Sequence, residues 1–366
     1  MIVWAEGVVT ALGAEWPGAA ELTAHRDDGT ACRALAYTDL MPMPQVGNRV
    51  LLNVAALEQG LGTGGYALVV AVLDAAGHLT GQPEPPRGHL VKARYLPLQA
   101  MVAGADEQGS AYHRLLADAD DLGGLPVVVA DLHSALPAVV AAVQHDRPGT
   151  RVVYLMSDHG ALPLAFSRTV AGLREAGTLA ATVTVGQAFG GDLEAVNVHS
   201  GLLAARLALD AEVVILTQGP GNLGTGTRWG FSGVACGEAV NAAAVIGGRP
   251  VATLRVSAAD PRERHRGVSH HSLTAYGRVA LRPADLALPD FSGLPGLEGL
   301  LAPVARAAQL LTQHRGHSID LTGLTAALEA SPVRLSSMGR SLTEDPGYFL
   351  AAAAGGRLAV RLLAGP

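Results

Sequence analysis

Lysine is almost missing from this sequence, since Lys92 is the only one among 366 residues. A Walker A phosphate loop needs a lysine directly after its glycines, so that motif is excluded, and a lysine Schiff base is confined to position 92. Cysteine is also scarce. Cys32 and Cys236 lie far apart, which excludes a C-x-x-C zinc or redox motif. The chain contains no G-x-S-x-G and no H-E-x-x-H, so the usual serine esterase and zinc protease have no support.

Charged side chains are sparse as well, at 16% of the residues, and the formal net charge is −6 with no long basic run. A sequence-independent contact with the phosphates of nucleic acid is therefore not expected. The chain has no uninterrupted apolar run of about 18 residues, which predicts no transmembrane helix. The segment MIVWAEGVV lacks the basic and apolar regions of a secretory signal. The sequence therefore predicts a cytoplasmic protein with neither nucleic acid nor membrane as a partner.

Apolar residues, in contrast, make up 49% of the chain, and their pattern changes along it. Residues 1–95 hold short strand-like runs separated by turn signals such as Asp28-Gly29 and Gly47-Asn48. This pattern predicts a small β-barrel-like domain. Residues 81–89, GQPEPPRGH, are rich in proline and glycine and predict a linker or a long loop.

Residues 96–294 alternate apolar strand-like runs with helical segments, which predicts an α/β domain with a parallel sheet and helices on both of its faces. Within it, residues 192–210 are predicted to form a helix that Asp192 caps. Residues 295–366 predict a helical C-terminal extension packed on the α/β domain. Its last helix is expected to have Thr343 as N-cap and to stop at Gly355. The apolar run FLAAAA in that helix is interpreted either as core or as the surface of a homo-oligomer.

Polar residues collect after the predicted strands of the α/β domain, where open parallel sheets bind their ligands. Asp131 and His133 follow the first strand, and Asp158 follows the second. The third strand leads into residues 187–192, the fourth into a glycine-rich loop, and the fifth into residues 257–271. The loops at the opposite end are short. This asymmetry predicts a ligand site at the carboxyl edge of the sheet.

The glycine-rich loop after the fourth strand contains a formal G-x-G-x-x-G at Gly219, Gly221 and Gly224. A dinucleotide fingerprint requires a helix that starts at these glycines, within the first βα turn. Here the helix is predicted to start only at Ser232, so a nicotinamide or flavin dinucleotide is not expected. The loop either binds an anion or needs glycine only for positive φ angles. The predicted anion-binding residues are Gly221, Gly224, Thr225, Gly226, Thr227 and Arg228.

The segment QAFGGDLEAVN after the third strand supplies further candidates for ligand binding. Glu194 falls in the first turn of the predicted helix, and Asn197, three residues on, shares its face. A capped helix explains Asp192 fully and Glu194 in part, but it explains neither Asn197 nor Gln187. The predicted ligand-binding residues of this segment are Gln187, Gly191, Glu194 and Asn197.

The fifth strand leads into DPRERHRGVSHHS, which is dense in histidine and arginine. Metal ligation, general acid–base catalysis and anion binding all use such residues, and a solvated loop is the remaining interpretation. The spacing H-x-x-x-x-H-H matches no standard zinc motif, so a divalent metal is left open. The predicted catalytic residues are Asp158, His265, His270 and His271. The candidate metal ligands come from neighbouring strand ends and are Asp131, His133, Asp158, Asp192, His270 and His271.

Eight motifs form a recognisable set: GLGTGGYALV, RYLPLQ, DLHSAL, LMSDHGALPLAFSR, GQAFGGDLEAVNVHSGLLAAR, GPGNLGTGTRWGFSGV, HRGVSHHS and SSMGRSLTEDPGYFLAAAA. On these motifs, which span nearly the whole chain, the sequence resembles the uncharacterised bacterial family named domain of unknown function 3866. The resemblance implies that the chain is one functional unit. It implies no activity, and no catalytic residue is carried over from it.

The residues themselves favour a cytoplasmic enzyme that acts on a small anionic metabolite, phosphorylated metabolites included, at the carboxyl edge of the sheet. Arg228 and the glycine-rich loop would bind the anion, and Asp158 or a histidine of residues 265–271 would act as acid or base. The competing hypothesis is a non-catalytic ligand sensor or an assembly scaffold. A sensor needs the anion pocket without a titratable pair near the ligand, and a scaffold needs a large apolar surface patch.

Overall fold

A computed structural model describes residues 2–74, 76–81 and 88–363, and the chain forms two compact units, residues 1–87 and 88–366. Residues 82–87, most of the predicted linker, lie outside the described residues. In the described ranges, no helix is both long enough and apolar enough to cross a membrane. The finer division predicted at residues 95 and 295 stays a prediction.

The first unit is a closed five-stranded barrel. Its elements are β1 (Trp4–Trp16), β2 (Ala19–Arg26), β3 (Ala31–Ala36), β4 (Arg49–Asn53), α1 (Ala55–Glu58) and β5 (Ala67–Leu73). The strand order is β1-β2-β3-β5-β4, and β4 returns to pair with β1, which is Greek-key connectivity. Val50 and Leu52 of β4 are fully buried and their neighbours half-buried, as alternation along a strand requires. The predicted N-terminal barrel is confirmed.

The second unit is built around an eight-stranded sheet. A hairpin and a short helix come first: β6 (Leu90–Lys92), β7 (Ala100–Val102) and α2 (His113–Leu116). The strands that follow are β8 (Pro126–Val129), β9 (Val152–Ser157), β10 (Ala181–Val185), β11 (Leu193–Ala195), β12 (Val213–Gln218), β13 (Arg249–Thr253), the two-residue pair β14 (Val256–Ser257) and β15 (Gly267–Val268), β16 (Asp285–Asp290) and β17 (Arg315–Asp320). The sheet order is β11-β10-β9-β12-β8-β13-β16-β17, and its neighbouring strands are parallel. Strands β9 and β12 are buried along their whole length, as expected for a covered parallel sheet.

Helices connect and cover the strands of this sheet. They are α3 (Leu136–Asp146), α4 (Arg168–Glu175), α5 (Val198–Leu207), α6 (Ala235–Val245), α7 (His270–Thr274), α8 (Leu301–Leu310), α9 (Leu324–Glu329) and, after the small strands β18 (Ser336–Ser337) and β19 (Arg340–Ser341), α10 (Pro346–Leu363). Helix α3 connects β8 to β9, and α6 connects β12 to β13. In the sheet order these two connections run in opposite directions. Because such crossovers are right-handed, α3 and α6 cover opposite faces. The predicted α/β fold is confirmed, and the neighbours β8 and β12 form a topological switch point, where α/β proteins bind ligands.

The helix predicted over residues 192–210 starts later than expected. Leu193–Ala195 form the edge strand β11, and α5 follows with Asn197 as its N-cap. The prediction that Asp192 caps this helix is wrong, because its carboxylate accepts hydrogen bonds from the backbone and hydroxyl of Thr182. A three-residue strand is too short to show a period of two, so its sequence cannot be distinguished from a first helical turn.

The last helix also differs from the prediction at both of its ends. Helix α10 begins at Pro346 and runs through Gly355 to Leu363, so Thr343 is not its N-cap and Gly355 does not stop it. A Cβ atom at Gly355 would lie 2.2 Å from Cγ2 of Thr253, so glycine lets α10 pack directly on β13. The FLAAAA run is buried within this unit, as core.

The C-terminal segment contributes a strand as well as helices. Strand β17 lies within the residues predicted to be helical and pairs with β16 from Arg315 to Asp320, at the edge of the sheet. Most of its residues are exposed or half-buried, and Ile319 is buried. The sequence did not predict this strand because an edge strand lacks the continuous apolar run that is typical of buried parallel strands.

Candidate functional site

Three histidines come together beyond the carboxyl end of β13. His265 ends a short 3₁₀ turn, and His270 and His271 begin helix α7. One ligand atom of each ring lies within 4.8 Å of those of the other two, and the ring centroids are 4.5 to 5.1 Å apart. His265 and His271 are buried and His270 is half-buried. The structure therefore brings together the three histidines singled out by the sequence, and we call them the histidine cluster.

Ser269 organises the backbone and one ring of the histidine cluster. Its hydroxyl oxygen accepts the backbone N–H of His271 at 3.2 Å, which caps α7, and it lies 2.7 Å from Nδ1 of His265. That contact leaves Nε2 of His265 as the available ring nitrogen. Nε2 of His270 is buried, and no hydrogen-bond partner reaches it in the described part of the chain. A buried ring nitrogen without a partner costs free energy unless something binds it.

Asp131 lies beside the histidine cluster because of the strand order. It follows β8, the neighbour of β13, and its Oδ2 atom lies 3.4 Å from Nδ1 of His271. Arg255 follows β13 and lies 3.6 Å from the same oxygen, and Asp260 lies 3.6 Å from the guanidinium of Arg255. Two carboxylates thus offset the charge of one buried arginine, which reduces its repulsion of a cation bound nearby.

Burial keeps two of the clustered histidines neutral. Burial and then Arg255 lower the pKa of His265 to about 3, and burial and then His271 lower the pKa of His270 to about 4. Burial raises the pKa of Asp131, but His271 and Arg255 outweigh it, so this pKa lies below its ordinary value. The site therefore presents neutral imidazoles beside a carboxylate, the protonation states that metal ligands need.

Two buried carboxylates hold the loop that carries the histidines. Asp260 is fully buried and contacts Arg262 at 2.8 Å and Arg340 at 3.0 Å. Arg340 also contacts Asp345 at 3.1 Å, and Asp345 accepts the hydroxyl of Ser257 at 2.6 Å. These contacts tie the residues after β13 to the segment before α10, so they restrict the movement of the histidine-bearing loop.

A cavity of about 210 Å³ lies at the switch point between β8 and β12. The ends of β8, β9 and β12 line it, together with α5 and α6. Its polar lining includes Asp131, Ser157, His159, Asn197, His199 and Gln218. Because Asp131 lines the cavity and also faces His271, the cavity and the histidine cluster share a wall. A concave, largely apolar space with few polar groups is the usual form of a small-molecule site.

Three predicted metal ligands, His133, Asp158 and Asp192, lie outside the histidine cluster, and Asp192 instead accepts hydrogen bonds from Thr182. Nδ1 of His133 is 2.9 Å from the hydroxyl of Tyr154, and Nε2 is 2.7 Å from the hydroxyl of Ser167, so both ring nitrogens have partners. Asp158 accepts the backbone N–H of Gln187 at 2.8 Å, which orders the loop after β10. Asp158 follows β9, and strands β12 and β8 lie between β9 and β13 in the sheet. The strand order therefore places Asp158 away from the histidine cluster.

Glu194 pairs with the single lysine of the chain. Its Oε2 atom lies 3.2 Å from Nζ of Lys92, and both side chains are buried. Burial raises the pKa of Glu194, and Lys92 opposes that rise. Nearby, the N–H of Gly191 donates to the hydroxyl of Thr184 at 3.0 Å. Of the four ligand-binding candidates after β10, Asn197 lines the cavity, and the others lie outside its lining in the described residues.

The glycine-rich loop is exposed and closed by its own contacts. Gly221 and Gly226 have φ angles of 90° and 79°, which glycine adopts without strain. The hydroxyls of Thr225 and Thr227 lie 3.1 Å from each other, and Arg228 is exposed. In the part of the chain that the structure describes, none of these residues lines the cavity. Anion binding by this loop stays a prediction.

Three side chains of the site were left out of the set predicted from sequence. Phe231 lies against His271, Arg255 lies between two carboxylates, and Gln218 lines the cavity. Arg255 does leave a signal in the sequence: it interrupts the apolar run VATLRVS, and a buried arginine in a strand needs carboxylate partners. Phe231 and Gln218 flank the glycine-rich loop and carry no comparable signal.

The donor set of the histidine cluster fits a divalent transition metal. Neutral imidazole is the commonest protein ligand of such metals and suits zinc, copper, iron and nickel. Zn–N bonds are about 2.0 to 2.1 Å long, which places the nitrogens around a tetrahedral ion about 3.3 Å apart. The ligand nitrogens now lie within 4.8 Å of one another, so they would move closer by up to about 1.5 Å. The unpartnered Nε2 of His270 would gain a partner by doing so. Three imidazoles also leave a fourth coordination position open.

In a comparison with protein families, the family described as protein of unknown function (DUF3866) matches residues 33–356. No curated protein matches the chain, and no solved structure does.

Proposed function

This chain belongs to the DUF3866 family, and we propose that it is a metal-dependent enzyme whose centre is formed by His265, His270 and His271. The observation that carries the proposal is the meeting of three imidazoles within 4.8 Å of one another at the carboxyl edge of a parallel sheet. Structural zinc sites are closed by four protein ligands, whereas catalytic sites keep one position open. A three-histidine set beside a cavity is therefore typical of the catalytic class.

The chemistry follows from the residues around the cluster. A divalent metal would supply a Lewis acid that polarises an oxygen of the substrate. Asp131 acts as a positioning residue: its carboxylate and the guanidinium of Arg255 both lie 3.4 Å from Nδ1 of His271, so this side of the ring is held by the two partners. Nε2 of His271 is then free to serve as a ligand. Arg255, held between Asp131 and Asp260, keeps this carboxylate ionised.

The proposed substrate is a small anionic metabolite, with phosphorylated metabolites included. A divalent cation attracts such a group directly, and two arginines near the glycine-rich loop favour it further. The guanidinium of Arg264 lies 3.7 Å from the position that a Cβ of Gly226 would occupy, and Arg228 follows two residues later in an exposed position. We place the enzyme in the cytoplasm because Cys32 and Cys236 are both free thiols, as in a reducing compartment. Assembly into a homo-oligomer stays a prediction.

Metal content tests this proposal without any knowledge of the substrate. We expect the purified chain to carry about one equivalent of zinc, copper, iron or nickel by elemental analysis, and the double variant His270→Ala, His271→Ala to lose it, since one imidazole cannot hold the ion alone. The matched control is His78→Ala with His89→Ala, which removes two imidazoles that are 79% and 92% exposed. A metal-free wild-type protein, or equal metal in both double variants, would refute the centre.

Cobalt substitution separates an enzyme from a structural or sensor protein. A three-histidine centre with an open position gives cobalt a visible spectrum that changes when azide binds. A closed structural site gives a spectrum that azide leaves unchanged, and that result would favour the sensor or scaffold hypothesis. The open position supports the enzyme because a substrate must reach the metal to be polarised.

A further inference from the structure

A hairpin of the second unit presents large apolar side chains to solvent. It consists of β6, β7 and the turn between them, residues 90–102, and we call it the apolar hairpin. Tyr95 is 94% exposed, and Leu96, Leu98 and Met101 are 58%, 55% and 46% exposed. From this exposed, uncharged surface on a rigid base, we propose that the apolar hairpin is the contact surface between two copies of this chain.

Polar contacts hold the base of the apolar hairpin against the edge of the sheet. Lys92 of β6 is buried, and its Nζ atom donates to the backbone oxygen of Gly186 at 2.9 Å and lies 3.2 Å from Oε2 of Glu194. After β7, the backbone N–H of Ala105 donates to the backbone oxygen of Glu194 at 2.8 Å. These contacts fix the hairpin beside strand β11 without using its large apolar side chains, which stay available for a partner.

The turn of the apolar hairpin is ordered as well. The backbone N–H of Tyr95 donates to Oε1 of Gln99 at 3.1 Å, and the N–H of Leu96 donates to the backbone oxygen of Ala93 at 3.1 Å. Ala93 and Tyr95 have φ angles of 50° and 64°, which are uncommon for residues other than glycine. Such backbone conformations are concentrated at functional sites. The turn therefore presents Tyr95 in a defined position, and this preorganisation lowers the entropy cost of binding a partner.

The apolar side chains of the hairpin do not serve the interior of the protein. In the part of the chain that the structure describes, none of residues 88–104 belongs to a hydrophobic core. Tyr95, Leu96, Leu98 and Met101 together expose on the order of 500 Å² within one turn. The largest apolar patch of a typical monomer measures about 300 to 600 Å² and is often functional. The exposed surface of the hairpin is therefore large enough to indicate a binding surface.

A second copy of the chain fits this surface in area and in charge. Two hairpins that cover each other remove on the order of 1,000 Å² from water, which reaches the lower limit for a specific interface. Residues 95–105 contain no Asp, Glu, Lys or Arg. A twofold interface places the same residues opposite each other, so an uncharged surface can meet its own copy without repulsion. A membrane fits less well, because lipid-binding surfaces surround their apolar residues with cations, and residues 90–105 expose only Arg94.

The strand order separates the apolar hairpin from the histidine cluster. The hairpin contacts Glu194 of β11, and the cluster follows β13, which is the fifth strand along from β11 in the sheet. Neighbouring strands lie about 4.8 Å apart, so roughly 24 Å separates the two positions across the sheet. Association through the hairpin therefore needs no metal, and the failure of either proposal leaves the other standing.

Sedimentation equilibrium on the full chain tests the proposal. At about 100 µM we expect a mass of about 75 kDa, twice that of the 37.4 kDa chain, with a Kd of about 1 to 10 µM. Tyr95→Asp with Leu98→Asp places two charges on the hairpin and should raise this Kd about 100-fold or more. The matched control is Leu281→Asp with Leu310→Asp, which makes the same change in charge at leucines that are 83% and 56% exposed. The control should form dimers as the wild type does.

Hydrogen exchange on the wild type tests the same contact without any variant. Amides of residues 93–101 should exchange more slowly at about 100 µM protein than at about 0.1 µM, since only the concentrated sample is dimeric. A monomer at about 100 µM, equal exchange at both concentrations, or a dimer that Tyr95→Asp with Leu98→Asp leaves intact would overturn the proposal. Dissociation of the control variant to the same extent would overturn it too. A monomer that sediments with phosphatidylcholine–phosphatidylglycerol vesicles, and loses this binding in Tyr95→Asp with Leu98→Asp, would assign the hairpin to a membrane surface instead.

Discussion

Phe231 lies flat against the imidazole of His271, with ring centroids 3.7 Å apart and ring planes within 5° of each other. Phe231 also closes the glycine-rich loop, where it forms a β-bridge with Gly224. One stacked pair therefore connects the exposed loop to the proposed metal centre. Stacking of this kind limits the rotation of the imidazole and so helps to hold it in a ligand orientation.

The first prediction concerns this stacked pair. Phe231→Leu keeps an apolar side chain but loses the stacking, which contributes about 0.5 to 1.5 kcal/mol. Metal affinity should therefore fall about 2- to 10-fold, measured by competition with a chelator. Trp229→Leu, a change of an exposed aromatic in the same loop, is the control and should leave the affinity unchanged. Equal affinities in all three proteins would show that the stack plays no part in metal binding.

The second prediction concerns Asp131. Asp131→Asn keeps the size of the side chain but removes the charge that faces His271. Loss of a partner that orients a metal ligand typically lowers affinity about 10- to 100-fold, and we expect a loss in that range. The cobalt spectrum should shift as well, which a purely structural residue would not cause. Asp158→Asn, at a strand end outside the cluster, is the matched control. An unchanged spectrum in Asp131→Asn would contradict the positioning role.

The third prediction concerns anion binding by the glycine-rich loop. Arg228 is exposed, so Arg228→Ala should change the free energy of unfolding by no more than about 0.5 kcal/mol. A charge-assisted hydrogen bond contributes about 1.5 to 3 kcal/mol, so affinity for inorganic phosphate should fall about tenfold or more. Arg282→Ala removes an exposed arginine elsewhere and should leave phosphate binding intact. If both variants bind phosphate like the wild type, the loop is not the anion site.

The fourth prediction concerns stability against pH. Burial lowers the pKa of His133 from 6.5 to about 4, so the unfolded chain takes up the proton first as the pH falls. The folded state therefore loses stability from about pH 6.5 down to about pH 4, by about 2 kcal/mol between pH 7.5 and pH 5. His133→Gln can keep the contacts to Tyr154 and Ser167 without titrating, and its stability should fall less over this interval. Urea unfolding at both pH values measures the difference, and parallel losses in the two proteins would contradict the assignment.

The arrangement of strands and helices could be predicted from the sequence because it follows from local pattern. Apolar runs such as VVILT in β12 and the helical segment SALPAVVAAVQH around α3 show their periodicity within about ten residues. The sequence did not predict the two edge strands β11 and β17, because that local pattern is missing from them. Leu193–Ala195 is too short to show a period, and Arg315–Asp320 is mostly exposed or half-buried, so it lacks the continuous apolar run of a buried parallel strand.

The site could be predicted only in part because its assembly depends on strand order. Asp131 and Asp158 look alike in sequence, each directly after a buried strand. Asp131 meets the histidines because β8 lies next to β13, whereas Asp158 follows β9, two strands further away. The density of histidine in residues 265–271 was visible locally and identified the cluster. The pairing of Lys92 with Glu194 joins distant segments and has no local signal.

Anomalous diffraction tests the central claim, a metal held by His265, His270 and His271, most directly. Crystals of the full chain, purified without chelators, should give one anomalous peak at the absorption edge of the bound metal. We predict that this peak lies about 2.0 to 2.3 Å from one nitrogen of each of the three imidazoles. An ordered histidine cluster with no anomalous peak, or a peak held by other residues, would contradict the account.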